Sequence, residues 1–127
     1  MKFKYSILYV ENVKATMDFF CKAFGLKIKF IHESGDFGEL ETGNTTLAFS
    51  SISLMNKLDK YPGKPNPKSP VFEIAFETDD VASALKTAVQ AGATIIQDVK
   101  EEAWGQTTSY VCDPNGYIIE ICSPVKL

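Results

Sequence analysis

The stretch Trp104 to Pro124, WGQTTSYVCDPNGYIIEICSP, decides the fold, because it reads as two strands joined by Asp113-Pro114-Asn115-Gly116. Proline presets the backbone at the first turn position, and Gly116 can take the positive φ that closes a hairpin. Side chains of a strand alternate, so Tyr117, Ile119 and Ile121 share one face while Ile118, Glu120 and Cys122 share the other. Glu120 thereby sits in mid-strand among apolar neighbours. A carboxylate there demands a donor, a proton, a cation or a solvated sheet face.

Working outward, the same order of elements occurs twice. In the first half, the alternation of Lys2 to Val10 predicts a strand with Phe3, Tyr5, Ile7 and Tyr9 on one side. Asn12 then suits the N-cap of a helix whose stripe is Val13, Met17, Phe20 and Phe24, and Gly25 suits its end. Strands are expected at Lys27–His32, Phe37–Glu41 and Thr45–Ser50. In the second half, Val71–Thr78 is a strand, Asp80 caps a helix bearing Val81, Leu85, Ala88 and Val89, and Gly92 closes it. The strand Thr94–Lys100 and the hairpin complete the unit.

Laying YVENVKATMDFFCKAFGLKI over ETDDVASALKTAVQAGATII matches Tyr9 with Glu77, Asn12 with Asp80 and Val13 with Val81. The chain is thus read as α+β, two tandem βαβββ modules at 1–50 and 71–127, in one domain spanning 1–127. Between them lies a connector at 51–70, with a short helix around Ser53 to Leu58 and then YPGKPNPKSP. Pro62, Pro65, Pro67 and Pro70 cannot continue a helix or an interior strand, which makes the segment stiff and exposed. The repeat also sets Tyr5 against Glu73 and Ala48 against Glu120. If the two modules pack their sheets together, these positions face a groove, with the apolar face of each sheet under its helix.

Composition narrows the function. The net charge is −3 and the lysines are scattered, so no nucleic-acid footprint is present. No segment approaches the roughly 20 apolar residues that span a bilayer, and MKFKYSILYV does not resemble a signal peptide, which makes the cytoplasm the expected location. Cys21, Cys112 and Cys122 are odd in number and form no CxxC, against a disulfide framework or a thiolate zinc site. Phosphate-binding glycine motifs are absent, and one histidine, His32, cannot supply a nucleophile's base at a matched place.

YVENVKATMDFFCKAFGL, FEIAFETDDV and the closing WGQ…DPNG…IEI resemble the vicinal oxygen chelate superfamily, also called the glyoxalase, bleomycin-resistance and extradiol dioxygenase fold. The resemblance covers nearly the whole chain. It implies up to four inward metal-ligand positions, which here match Tyr5, Ala48, Glu73 and Glu120. Only Glu120 carries the residue type that the resemblance leads one to expect, and a catalytic metal needs about three protein ligands.

The departure resembles the bleomycin-resistance type, which binds a drug-like molecule without a metal. That implies a small-molecule ligand, aromatic or cationic, held by Tyr5, Phe37, Ala48, Glu73, Trp104, Tyr110 and Glu120, with no cofactor, in a homodimer. The alternatives are a lyase, isomerase or dioxygenase holding a divalent metal on Glu73 and Glu120, a metal-free acid–base enzyme, and a scaffold with an empty groove.

Overall fold

The computed structural model describes residues 1–126 and divides into two compact units, one of Met1–Cys21 with Gly25–Gly63, the other of Lys22–Phe24 with the chain from Lys64 onward. Each unit carries a four-stranded mixed sheet.

In the first unit the elements are β1 (Tyr5–Val10), α1 (Val13–Phe24), β2 (Lys27–Ile31), β3 (Phe37–Glu41), β4 (Thr46–Ser51) and α2 (Ile52–Lys57). The sheet order is β1-β4-β3-β2, with β1 and β4 parallel and the rest antiparallel. Helix α1 starts where expected, because the Asn12 side chain accepts from Ala15 N at 2.9 Å. It ends at Gly25, whose φ of 68° lets its N–H reach the Cys21 carbonyl. Its stripe of Val13, Met17 and Phe20 is buried, and the Phe20 ring packs 5.1 Å from that of Phe49 on β4. Each such side chain stabilises the unit by roughly 1.5–3 kcal/mol. Met17 lies over Gly38, where a Cβ would come within 2.3 Å of its sulfur.

Strand β1 begins at Tyr5 rather than Lys2, because its ladder partner β4 begins at Thr46, opposite Tyr5. Helix α2 begins one turn position earlier than expected: Ser51 caps it, accepting from Leu54 N at 3.0 Å and donating to Asp36 Oδ1 at 2.7 Å.

The second unit holds β5 (Glu73–Glu77), α3 (Val81–Gln90), β6 (Thr94–Glu102), β7 (Gln106–Cys112) and β8 (Ile118–Cys122), in the order β5-β8-β7-β6. The pairing repeats that of the first unit, with β5 and β8 parallel. Asp80 caps α3 by accepting from Ser83 N at 3.0 Å, and Val81, Leu85 and Ala88 face the sheet. The end of α1 belongs to this unit, its Phe24 ring 4.8 Å from Phe76.

The turn between β7 and β8 is organised by one buried carboxylate. Asp113 Oδ1 accepts from the backbone N–H of Asn115, Gly116 and Tyr117 at 3.1, 2.9 and 2.8 Å, and Oδ2 accepts from Asn115 Nδ2 at 2.8 Å. Gly116 has a φ of 108°, and a Cβ there would meet the Pro65 carbonyl at 2.8 Å. The proline-rich segment therefore lies against this turn.

Candidate ligand-binding site

In the second unit the register gathers acidic groups on the sheet face that α3 leaves uncovered. Ala75 and Tyr110 are the partners of Glu120 on either side, and Glu73 lies two positions before Ala75. Tyr110 Oη donates to Glu120 Oε2. That bond, then burial and the charges of Glu120, Glu73 and Glu102, hold the phenol far above the usual tyrosine value. Tyr110 is thereby fixed as a donor.

Slight desolvation and then the charge of Glu120 push the Glu73 carboxyl up. The Cys122 thiol is pushed up to about 11 by burial first, then by donating to Glu120 and by the charges of Glu120, Glu77 and Glu73. Beside this group, Gln97 Nε2 donates to Thr108 Oγ1 at 3.1 Å, which donates to Glu102 at 3.0 Å. Lys100 reaches Glu102 at 3.7 Å, and among the described residues no ammonium pairs with Glu73 or Glu120. The face is a patch of negative charge with a phenol on it and no internal counter-ion.

Trp104 stands elsewhere. It lies in the turn between β6 and β7, 58% exposed, with Nε1 donating to Gln106 Oε1 at 2.8 Å. Gln106 is about 14 Å along β7 from Tyr110 at ~3.4 Å per residue. The structure therefore assembles Glu73, Tyr110 and Glu120 and leaves Trp104 at the far end of the hairpin.

In the first unit Tyr5, Phe37 and Ala48 occupy the corresponding open face. Tyr5 is opposite Thr46, Ile7 opposite Ala48, and Phe37 opposite Ser50. Tyr5 is 37% exposed, with Lys4 Nζ 5.4 Å from its ring centre, whereas Ala48 is wholly buried. Phe37 is half-buried, its ring 6.0 Å from that of Phe30.

Sequence reasoning missed Glu39. It is the β3 partner of Ala48, as Tyr110 is the β7 partner of Glu120, so the mid-sheet carboxylate of the first unit lies one strand over from its place in the second. An extra residue, Lys29, separates the Ile28–Leu40 and Phe30–Glu39 pairs, a bulge that sets both Lys29 and Phe30 beside Glu39. Lys29 Nζ is 3.9 Å from Glu39 Oε1. A signal was present: Glu39 shares the strand face of Phe37, a position already singled out.

His32 serves its own turn, with Nδ1 at 2.8 Å from Ser34 Oγ and accepting from Ser34 N.

The donor set does not fit the metal that the fold's enzymes carry. Ala48 offers no ligand atom, Tyr5 offers a phenol, and no imidazole lies on either open face. Glu120 is already engaged by Tyr110. Among the described residues no three histidine, cysteine or acidic side chains come together as a metal cluster.

Among curated proteins, an uncharacterised protein of Mycobacterium bovis is 26% identical over 125 residues, covering 94% of this chain and 81% of its own. Solved structures of the same fold include a glyoxalase/bleomycin resistance protein/dioxygenase family enzyme from Burkholderia phytofirmans, with a TM-score of 0.85, 19% identity and coverage of 97% of this chain and 98% of that one. A glyoxalase-related enzyme from Fulvimarina pelagi has a TM-score of 0.82 and 20% identity, covering 98% and 88%. A protein of unknown function from Agrobacterium tumefaciens has a TM-score of 0.79 and 25% identity, covering 98% and 95%. The model of the glyoxalase-like domain matches residues 3–126, and the chain accordingly belongs to that family.

Proposed function

We propose that this protein is a non-catalytic binder of small aromatic cations, using the open face of the second unit. The observation that carries the reading is the pair Glu73 and Glu120, two carboxylates of one sheet face that no lysine among the described residues pairs with, the charge of Glu120 adding to desolvation in pushing the Glu73 carboxyl up. A cationic guest supplies the missing counter-charge, and the Tyr110 ring offers it a π-face. The absence of a fitting metal donor set supports binding over metal-dependent turnover. Membership of the glyoxalase-like family is itself compatible with both, since one fold hosts several chemistries.

The working state in this proposal is a cytoplasmic homodimer. Its support is the apolar surface left open on the first unit, where Phe3 is 72% and Ile7 43% exposed, together with three free cysteines, which suit a reducing compartment.

The test is calorimetric titration with benzyltrimethylammonium, whose charge does not change with pH. Glu120→Gln is expected to weaken it about tenfold, the scale of one partly solvated charge pair. Affinity should rise with pH as Glu73, with its raised pKa, ionises, and then level off. Glu73→Gln should flatten that rise, and a chelator should change nothing. Equal binding of neutral benzyl alcohol, or of the cation by both variants, sinks the proposal.

A further inference from the structure

On the open face of the first unit a cavity of about 480 Å³ is lined by Tyr5, Phe30, Lys2, Lys4, Lys29 and Glu39, among others. Its volume is that of a pocket for a small molecule. Glu39 is 7% exposed, yet among the described residues its carboxylate accepts no hydrogen bond, and its one charged partner is Lys29 at 3.9 Å. No buried side-chain oxygen of the described residues lacks a partner, so the Glu39 oxygens keep their access to solvent through this cavity. A carboxylate that is nearly buried, faces a pocket and accepts no hydrogen bond among the described residues is an acceptor site for a ligand.

The other walls specify the remainder of that ligand. Phe30, backed by Phe37 at 6.0 Å, and Tyr5 offer ring surfaces. Lys2, Lys4 and Lys29 give the rim a positive sign. Lys29 is about half exposed and its long pair with Glu39 contributes little, so a ligand ammonium can take its place and free it for an anion.

We propose that this cavity binds a small zwitterion bearing an aromatic ring, with its ammonium on Glu39, its ring on Phe30 and Tyr5, and its carboxylate on the lysine rim. The site lies within the first unit and does not depend on the cation reading of the second.

The test compares three probes by calorimetry: L-phenylalanine, phenethylamine, which lacks the carboxylate, and 3-phenylpropionate, which lacks the ammonium. L-Phenylalanine should bind about tenfold or more tightly than either, the scale of one charge-assisted contact. Glu39→Gln, which keeps the shape of the side chain, should reduce L-phenylalanine to the level of 3-phenylpropionate. Lys29→Met should reduce it toward phenethylamine, and thermal melts report whether each variant is folded. Glu120→Gln should leave L-phenylalanine binding intact, which separates this site from that of the second unit. The proposal is overturned by no detectable heat with L-phenylalanine at millimolar concentration, by equal binding of the three probes, or by loss through Glu120→Gln instead of Glu39→Gln.

Discussion

Removing the Asp113 carboxylate should loosen the hairpin that brings Tyr110 opposite Glu120. Three of its four accepted bonds go to Oδ1, from Asn115 N, Gly116 N and Tyr117 N, and Asp113 itself is 3% exposed. Gly116 N also reaches the Asp113 carbonyl at 3.0 Å, so in Asp113→Ala it keeps that partner, whereas Asn115 and Tyr117 both lose the carboxylate. Each bond to a charged acceptor is worth about 1.5–3 kcal/mol, and the relief of a buried charge offsets part of the sum. A net loss of about 3 kcal/mol follows, or roughly 10 °C in melting temperature for a domain of this size.

Asp113→Asn separates acceptor geometry from charge. An asparagine keeps Oδ1 in place for the backbone bonds, and Asn115 can turn its amide to present an oxygen, so this variant should stay within about 1 kcal/mol of wild type. Burial pushes the Asp113 carboxyl above its ordinary 3.8, against the pull of the Asn115, Tyr117 and Gly116 donors. A raised carboxyl favours the folded state below pH 3.8, and that gain is lost as pH rises through the folded value. The stability of Asp113→Asn relative to wild type should therefore improve from acid to neutral pH. Urea unfolding at two pH values measures both effects. If Asp113→Ala costs under about 1 kcal/mol, the turn is not organised by this carboxylate, and if Asn is as damaging as Ala, acceptor geometry is not what matters.

Gly38→Ala should cost about 1–3 kcal/mol in urea unfolding, because its Cβ would overlap Met17 Sδ and approach the Phe30 carbonyl at 3.3 Å; a neutral result would mean that Met17 moves aside freely. Cys122, 7% exposed with its thiol pushed up to about 11, should be the slowest of the three cysteines to react with iodoacetamide at pH 8, and Glu120→Gln should speed it. Alkylation of Cys122 at the rate of the unfolded chain would show that Glu120 does not hold its proton.

What was legible in the sequence was what local chemistry dictates. Asn12 and Asp80 cap helices because each side chain reaches an N–H three residues on, and the Asp-Pro-Asn-Gly turn closes through contacts within five residues. The βαβββ repeat followed from those signals, and with it the matching of Tyr5 to Glu73 and Ala48 to Glu120, which the two registers reproduce. The distance of Trp104 from Tyr110 was not legible, because an aromatic beside a hairpin suits a pocket as well as a turn, and only the length of β7 sets the two apart.

Glu39 escaped for a different reason. Within Phe37–Glu41 it alternates with Gly38 and Leu40, and that pattern describes a solvated face as well as a buried one. Its burial is set by β2 and β4 on either side, and by the bulge at Lys29, all pairings between distant segments. The repeat even pointed away from it, since Ala48 stands where the second unit has Glu120. Yet the exchange is physically coherent. With a methyl group on β4 and a carboxylate on β3, the first unit keeps one acid at mid-sheet, moved toward a lysine and a phenylalanine. In the second unit the acid stays on β8 beside a phenol and two further carboxylates, Glu73 and Glu77. The duplicated framework thus holds two faces of unlike charge, and ligand preference in each is set by which strand bears the carboxylate and what its neighbours are.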